Sequence, residues 1–228
     1  MRSRFSMSHR PSTRVDPGRS THEFASHVPD AHTLAPLSPA ETPHNVPPSL
    51  SSFVGRTDER AELARALREA RLVTVTGPGG AGKTRLAREV AAAATTPDSD
   101  DAHRLFPAGV WWVELAPIDD GSDVAPAVAA VLGVRPGPGR EVTDAIADAL
   151  RGAHGHGRTL LVLDNCEHVV EAAAALAEEL LRAVPALTIL ATSREALAVE
   201  GEKAWILPPL ASPPVDTATA VKFALPWS

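Results

Sequence analysis

Gly77-Pro78-Gly79-Gly80-Ala81-Gly82-Lys83-Thr84 fits G-x-x-x-x-G-K-[ST] at every fixed position. In such a loop the glycines let backbone N–H groups turn inward around phosphates, and the helix that follows adds the partial positive charge of its N-terminus. Lys83 is placed to contact the β- and γ-phosphates, and the Thr84 hydroxyl to bind Mg²⁺. Lys83 is also the only lysine in the first 202 residues, where arginine supplies every other basic residue. A compact ammonium enters a narrow loop that the broad, planar guanidinium fork does not. The chemistry these residues can do is the binding of a nucleoside triphosphate.

Other polar groups follow apolar runs. Asp164 closes Leu160-Leu161-Val162-Leu163. This is the Walker B arrangement, in which a buried strand delivers one carboxylate beside the phosphate loop to orient Mg²⁺; capping a helix is the plainer alternative. Asn165 stands where many hydrolytic relatives of this architecture carry a second acid, and an amide cannot take a proton from water. Glu167 is the nearest substitute in sequence, or else a first-turn acid facing a helix dipole. Hydrolysis is therefore expected to be slow. Thr192-Ser193-Arg194 ends another apolar run, where a hydroxyl can read a γ-phosphate and Arg194 can pair with it; a surface pair with Glu195 or Glu200 is the bland reading. Val54-Gly55-Arg56 precedes a helix and can pack on a nucleotide base, although a loop entering a helix explains it equally well. The candidate catalytic set is Lys83, Asp164, Glu167 and Arg194. The candidate nucleotide set is Val54, Gly55, Arg56 and Gly77 through Arg85, and the metal set is Thr84 and Asp164.

These residues need strands and helices to hold them. Leu72–Thr76 is apolar and β-branched, as a buried strand requires. Thr84–Ala94 reads as a helix with Leu86, Val90 and the alanines on one side. Strand, glycine loop and helix follow in the order the motif needs. Upstream, Leu63 and Leu67 mark a helix over Asp58–Ala70. Downstream, strands are expected at Val110–Leu115, Thr159–Leu163, Leu187–Thr192 and Ala204–Leu207. Helices are expected from a cap at Ser122 or Asp123 to Leu132, over Val142–Leu150 and over Val169–Val184. This alternation predicts an α/β fold with a parallel sheet covered by helices on both faces. Ligands of such sheets bind at the C-terminal strand ends, where Asp164 and Thr192–Arg194 fall. Trp111 and Trp112 are expected to face opposite sides of their strand, and Cys166 to be a small buried apolar residue.

The remaining features exclude more than they suggest. A chain of 228 residues, 44% hydrophobic, is long enough for one full core. A net charge of −6 argues against a nucleic-acid surface. One cysteine excludes a disulfide framework and suits a reducing, cytoplasmic setting. No apolar run of transmembrane length exists, and the basic N-terminus lacks the apolar core of a secretory signal. Residues 1–50 hold eight prolines and five of the nine histidines and are expected to be a disordered tail, with order beginning near Ser52. The irregular histidine spacing, and the His154-Gly155-His156-Gly157 turn, argue against a metal site there.

Taken together, Phe-Val-Gly-Arg-x-x-Glu, VTVTGPGGAGKTRLA, GVWWVELAP, LLVLDNCEH, LTILATSRE and a Trp strand ending in Pro-Pro-Leu resemble the NB-ARC-like STAND ATPases of bacteria. Many of these are AfsR-like or LuxR-type transcriptional regulators. The resemblance covers about residues 51–210. It implies a P-loop NTPase of the AAA type: a three-layer sandwich around a five-stranded, mostly parallel sheet. ATP or ADP with Mg²⁺ would be the cofactors. Gly55 and Arg56 would serve the adenine side, Gly77–Thr84 the phosphates, Asp164 the Mg²⁺, and Arg194 would be the sensor. Family members continue into a helical lid, repeats and often a DNA-binding domain; residues 211–228 reach only the start of that region. An isolated or truncated nucleotide-binding module with weak ATPase activity is the expectation, read by a protein partner or by regulatory domains, and not itself binding DNA or membrane. A remnant without function, or a small P-loop kinase, are the competing readings.

Overall fold

The computed structural model describes residues 42–49, 55–96, 105–152 and 157–208. Five strands form one sheet: β1 Leu72–Thr76, β2 Gly109–Glu114, β3 Thr159–Asp164, β4 Leu187–Ser193 and β5 Glu202–Ile206. Their spatial order is β2-β3-β4-β1-β5, and all four neighbouring pairs are parallel. Every residue of β1, β3 and β4 is buried. That is why these segments read as continuous apolar runs with no alternation: a parallel sheet is covered on both faces. The expected strand positions hold to within two residues at each end.

Alternate side chains feed two cores. On one face, Val73, Val75, Val110, Trp112, Leu160, Val162 and Leu190 meet helices α1 (Thr57–Glu69) and α2 (Lys83–Ala93) through Leu63, Leu67, Leu86 and Val90. On the other, Val113, Leu161, Leu163, Ile189 and Ala191 meet α3 (Val124–Val131), α4 (Val142–Gly152) and α5 (Val170–Ala183). The result is the three-layer sandwich expected from the sequence. Trp112 lies in the first core, and half-buried Trp111 packs against the second, so the two indoles face opposite sides as strand alternation requires.

Two expectations are refined. Asp123 stands at the N-cap position of α3, as one of the two expected residues, but makes no side-chain capping bond there; the capping bond belongs to Asp120, whose carboxylate accepts the Ser122 N–H at 2.9 Å and opens a short 3-10 turn over Gly121–Asp123. Order also begins before Ser52. Residues 42–49 run beside β2: the Val110 N–H donates to Pro43 O at 2.9 Å, and His44 bridges Val110 in the parallel sense. Asn45 then clamps one residue of β2 from both sides. Its Nδ2 donates to Trp112 O at 2.9 Å and its Oδ1 accepts the Trp112 N–H at 2.6 Å. Val46 enters the core at 8% exposure. Proline-rich composition hid this because a polar side chain and two carbonyls make the contacts, not an apolar pattern. Val54, His154, His156 and residues 209–228 lie outside the described residues.

Candidate functional site

The glycine loop joins the end of β1 to the start of α2. Gly82 precedes α2 with φ of 92°, a left-handed conformation that a side chain would strain. Gly77 is needed for space as well: a Cβ there would lie 3.3 Å from Leu207 O. Pro78, Gly79, Gly80 and Gly82 are exposed, and half-buried Ala81 donates its N–H to Pro78 O at 3.3 Å. The loop is therefore a shallow cradle of backbone at the C-terminal edge of the sheet. Two clefts, of about 490 and 430 Å³, lie elsewhere; the first is lined by α3, the start of α4 and the residues joining them, the second by the end of α4 and the residues just before β3 and β4. Neither touches the loop.

Lys83 is the first residue of α2 and is only 8% exposed. Its ammonium donates to Gly77 O at 2.9 Å and Pro78 O at 3.1 Å. Among the described residues no carboxylate pairs with it. A buried cation held only by neutral carbonyls is a site prepared for an anion.

Thr84 and Asp164 meet directly. The Thr84 hydroxyl donates to Asp164 Oδ1 at 2.9 Å, and the Thr192 hydroxyl donates to the same oxygen at 2.5 Å. Thr192 in turn accepts the Asn165 N–H at 2.9 Å. The three adjacent strands β3, β4 and β1 thus deliver Asp164, Thr192 and the loop to one place. The Thr192 hydroxyl, expected with Ser193 as a candidate γ-phosphate contact, is turned toward the Asp164 carboxylate here. Asp164 is 3% exposed, and burial pushes its carboxyl above the usual range, while the two hydroxyls, and Arg88 more weakly, pull it down. Glu114, the parallel-register partner of Asp164 on β2, adds a negative charge that pushes the same way as burial. Asp164 Oδ2 accepts no hydrogen bond from a described residue. One carboxylate oxygen and one hydroxyl suit Mg²⁺, which takes few protein ligands and fills its shell with water and phosphate oxygens. Among the described residues no cluster of three His, Cys, Asp or Glu side chains offers a rival metal site.

The other candidates are placed as follows. Arg194 pairs with Glu167, Nε to Oε1 at 3.3 Å, not with Glu195 or Glu200. The two proposed catalytic groups thus neutralise each other across the ends of β3 and β4. Arg56 adopts a left-handed backbone, φ 57°, and its Nη2 donates to Pro208 O at 3.1 Å, just beyond β5. Its Nη1 is buried without a partner. Gly55 beside it is exposed, with φ of 80°. Arg85 points along α2 to Glu89 at 3.1 Å, and Glu89 also accepts the Ser49 hydroxyl at 2.8 Å. Cys166 is fully buried, and burial pushes its thiol up to about 12. Sequence reasoning passed over two residues of this neighbourhood, Glu114 and Arg88. Arg88 lies on α2 with its guanidinium 5.5 Å from the centre of the Trp112 ring. The signal for Glu114 was present: like β3, β2 is an apolar run that ends in an acid.

Known proteins resemble this chain in sequence or in fold. An uncharacterised protein of Mycobacterium tuberculosis is 39% identical over 199 residues, 85% of this chain and 48% of its own length. A protein of the same organism with the provisional name HTH-type transcriptional regulator is 46% identical over 142 residues, 62% of this chain and 14% of its own. The chain therefore spans about half the length of the first relative and a small part of the second. Among solved structures, the Aeropyrum pernix ORC1 protein, determined in complex with DNA, shares the fold with a TM-score of 0.51 at 20% identity, covering 69% of this chain and 46% of that one. A STAND protein with a tetratricopeptide repeat sensor from Pyrococcus horikoshii aligns with a TM-score of 0.49 at 19% identity, over 75% and 25% of the two chains. The family model of the AAA ATPase domain matches residues 52–191, more than half of the chain, and the chain belongs to that family.

Proposed function

We propose that this chain is a nucleotide-binding signalling module that holds ATP or ADP with Mg²⁺ on the glycine loop and hydrolyses ATP slowly. The observation that carries the reading is Lys83: a buried ammonium with no carboxylate partner among the described residues, one residue from the Thr84–Asp164 contact. The backbone amides of Gly77–Thr84 and the N-terminus of α2 would receive the phosphates. Thr84 and Asp164 would hold the Mg²⁺, which on binding neutralises phosphate charge. Arg56 and Gly55, at the same end of the sheet, would border the base, with Val54 ahead of them. Arg194, released from Glu167, would sense the γ-phosphate as in STAND switches. A cytoplasmic protein partner, or further domains of the kind the regulator-named relative carries, would read the nucleotide state. The acidic chain itself would leave DNA alone.

The test is a titration of fluorescent ATP and ADP analogues, with and without Mg²⁺, into the wild type and Lys83→Ala. Saturable, Mg²⁺-enhanced binding is expected, weakened about 10–100-fold by loss of the charged contact. Equal affinity in both proteins would remove the loop from the account. Turnover above about 1 s⁻¹, within the ordinary enzyme range, would refute slow hydrolysis. A sequence-specific gel shift by this chain would refute the expectation about DNA.

A further inference from the structure

If ATP is hydrolysed on this loop, a group must accept the proton of the attacking water, and the sequence offered one candidate, Glu167, in place of the amide Asn165. Asn165 is an amide, and its backbone is left-handed with φ of 67°. Glu167 is engaged by Arg194 at 3.3 Å. The pair holds that carboxylate at Arg194, just beyond β4.

A third carboxylate is better situated. Glu114 is the last residue of β2, and its Cα partner in the parallel register is Asp164. Adjacent strands lie about 4.8 Å apart. Strand alternation then fixes the face. Val110 and Trp112 on β2, and Leu160 and Val162 on β3, all enter the core beneath α1 and α2. Glu114 and Asp164 are the next members of those two rows, so both side chains leave the sheet on the side of α2, where the glycine loop ends. The Thr84–Asp164 hydrogen bond shows that this side meets the start of α2. Glu114 is exposed, and among the described residues its carboxylate has neither an ion pair nor a hydrogen bond. It is therefore accessible to water and free to take a proton. Arg88, stacked on Trp112 two residues before Glu114, supplies positive charge to the same face.

We infer that Glu114, from the strand beside the one bearing Asp164, is the general base for ATP hydrolysis at this site. The assignment rests on the nucleotide reading above. In the step, the water oxygen bonds to the γ-phosphorus and the bond from that phosphorus to the β–γ bridging oxygen breaks. ADP leaves with that oxygen, and the water proton passes to the Glu114 carboxylate before its release to solvent.

The experiment compares wild type, Glu114→Gln and Glu114→Ala by two readouts: affinity for a fluorescent ATP analogue with Mg²⁺, and single-turnover release of phosphate from ATP. Glu114→Gln is expected to bind within about threefold of wild type and to hydrolyse about 100-fold or more slowly. Added formate should restore part of the rate to Glu114→Ala and none to Glu114→Gln, whose amide fills the space. Hydrolysis by Glu114→Gln within about threefold of wild type overturns the inference alone. An equal loss of affinity and rate also overturns it, because Glu114 would then act only through the placement of Asp164. A wild type that binds ATP but releases no more phosphate than Lys83→Ala overturns it together with the hydrolytic reading, and is told apart from the first case by the wild-type rate. Both variants change an exposed side chain, so unaltered melting temperatures are expected and verify that the fold is intact.

Discussion

The carboxylate of Asp164 is 3% exposed and shares one oxygen between two hydroxyls. Burial raises its pKa in the folded state, so the folded protein holds the proton more tightly than the unfolded chain does. By linkage, stability of the nucleotide-free protein falls as pH rises through the interval between the unfolded and the folded value, and stays lowered above it. Asp164→Asn keeps an oxygen for both hydroxyls and cannot ionise. It should therefore melt higher than wild type at neutral pH, by on the order of 1 kcal/mol or about 2–4 °C. The difference should vanish below the ordinary carboxylate range, and Mg²⁺-dependent nucleotide binding should be lost. Thermal melts across pH, paired with nucleotide titration, check both halves; an Asn variant less stable than wild type at neutral pH would show that the charge does not strain the fold. Lys83, Thr84 and Asp164 could be named from the sequence because motif chemistry fixes them relative to one strand and one loop. The partner of Arg194 could not, because Glu167 is brought to it by two different strands. Glu114 left a local trace, an acid at the end of an apolar run, but its significance comes from register with Asp164, and register is a property of two strands.

β1, β3 and β4 were readable because each is buried on both faces and so appears as an unbroken apolar run; β5, a more exposed strand that opens with Glu202-Lys203, was read only from Ala204. Helix ends were less so: the turn before α3 is capped by Asp120, one of four polar residues in a row with Gly121 among them, and local sequence does not single it out. The segment at residues 42–49 left the weakest trace. It covers the outer side of β2 largely through Pro43, His44 and the two-sided Asn45 contact, which satisfies main-chain groups that an edge strand otherwise leaves open to another chain. Asn45→Ala strands both Trp112 main-chain groups and should cost about 1–3 kcal/mol in chemical denaturation. A loss below about 0.5 kcal/mol, as for an ordinary surface change, would mean that the segment contributes little to stability.

Taken as one cooperative unit, the domain should report nucleotide binding through its stability. A ligand at 100 times its Kd adds about 2.7 kcal/mol, which for a domain of this size is about 5–10 °C in melting temperature. Mg-ATP should give that shift to the wild type and about half of it or less to Lys83→Ala at the same concentration, as scanning fluorimetry will show; equal shifts in both would place the ligand elsewhere. The order of the strands has a further consequence, for how the protein comes to exist in the cell. β1, which launches the glycine loop, is flanked only by β4 and β5, so Leu72 waits for Ile189 and Glu202. On a ribosome, the strand that leads into the phosphate cradle emerges long before either of its neighbours, and until they arrive it is an unpaired, apolar ribbon. Parallel sheets closed over such separations form slowly and expose sticky intermediates. Nascent chains of this protein should accordingly depend on chaperone shelter, with ATP competence appearing only once synthesis has passed the last strand.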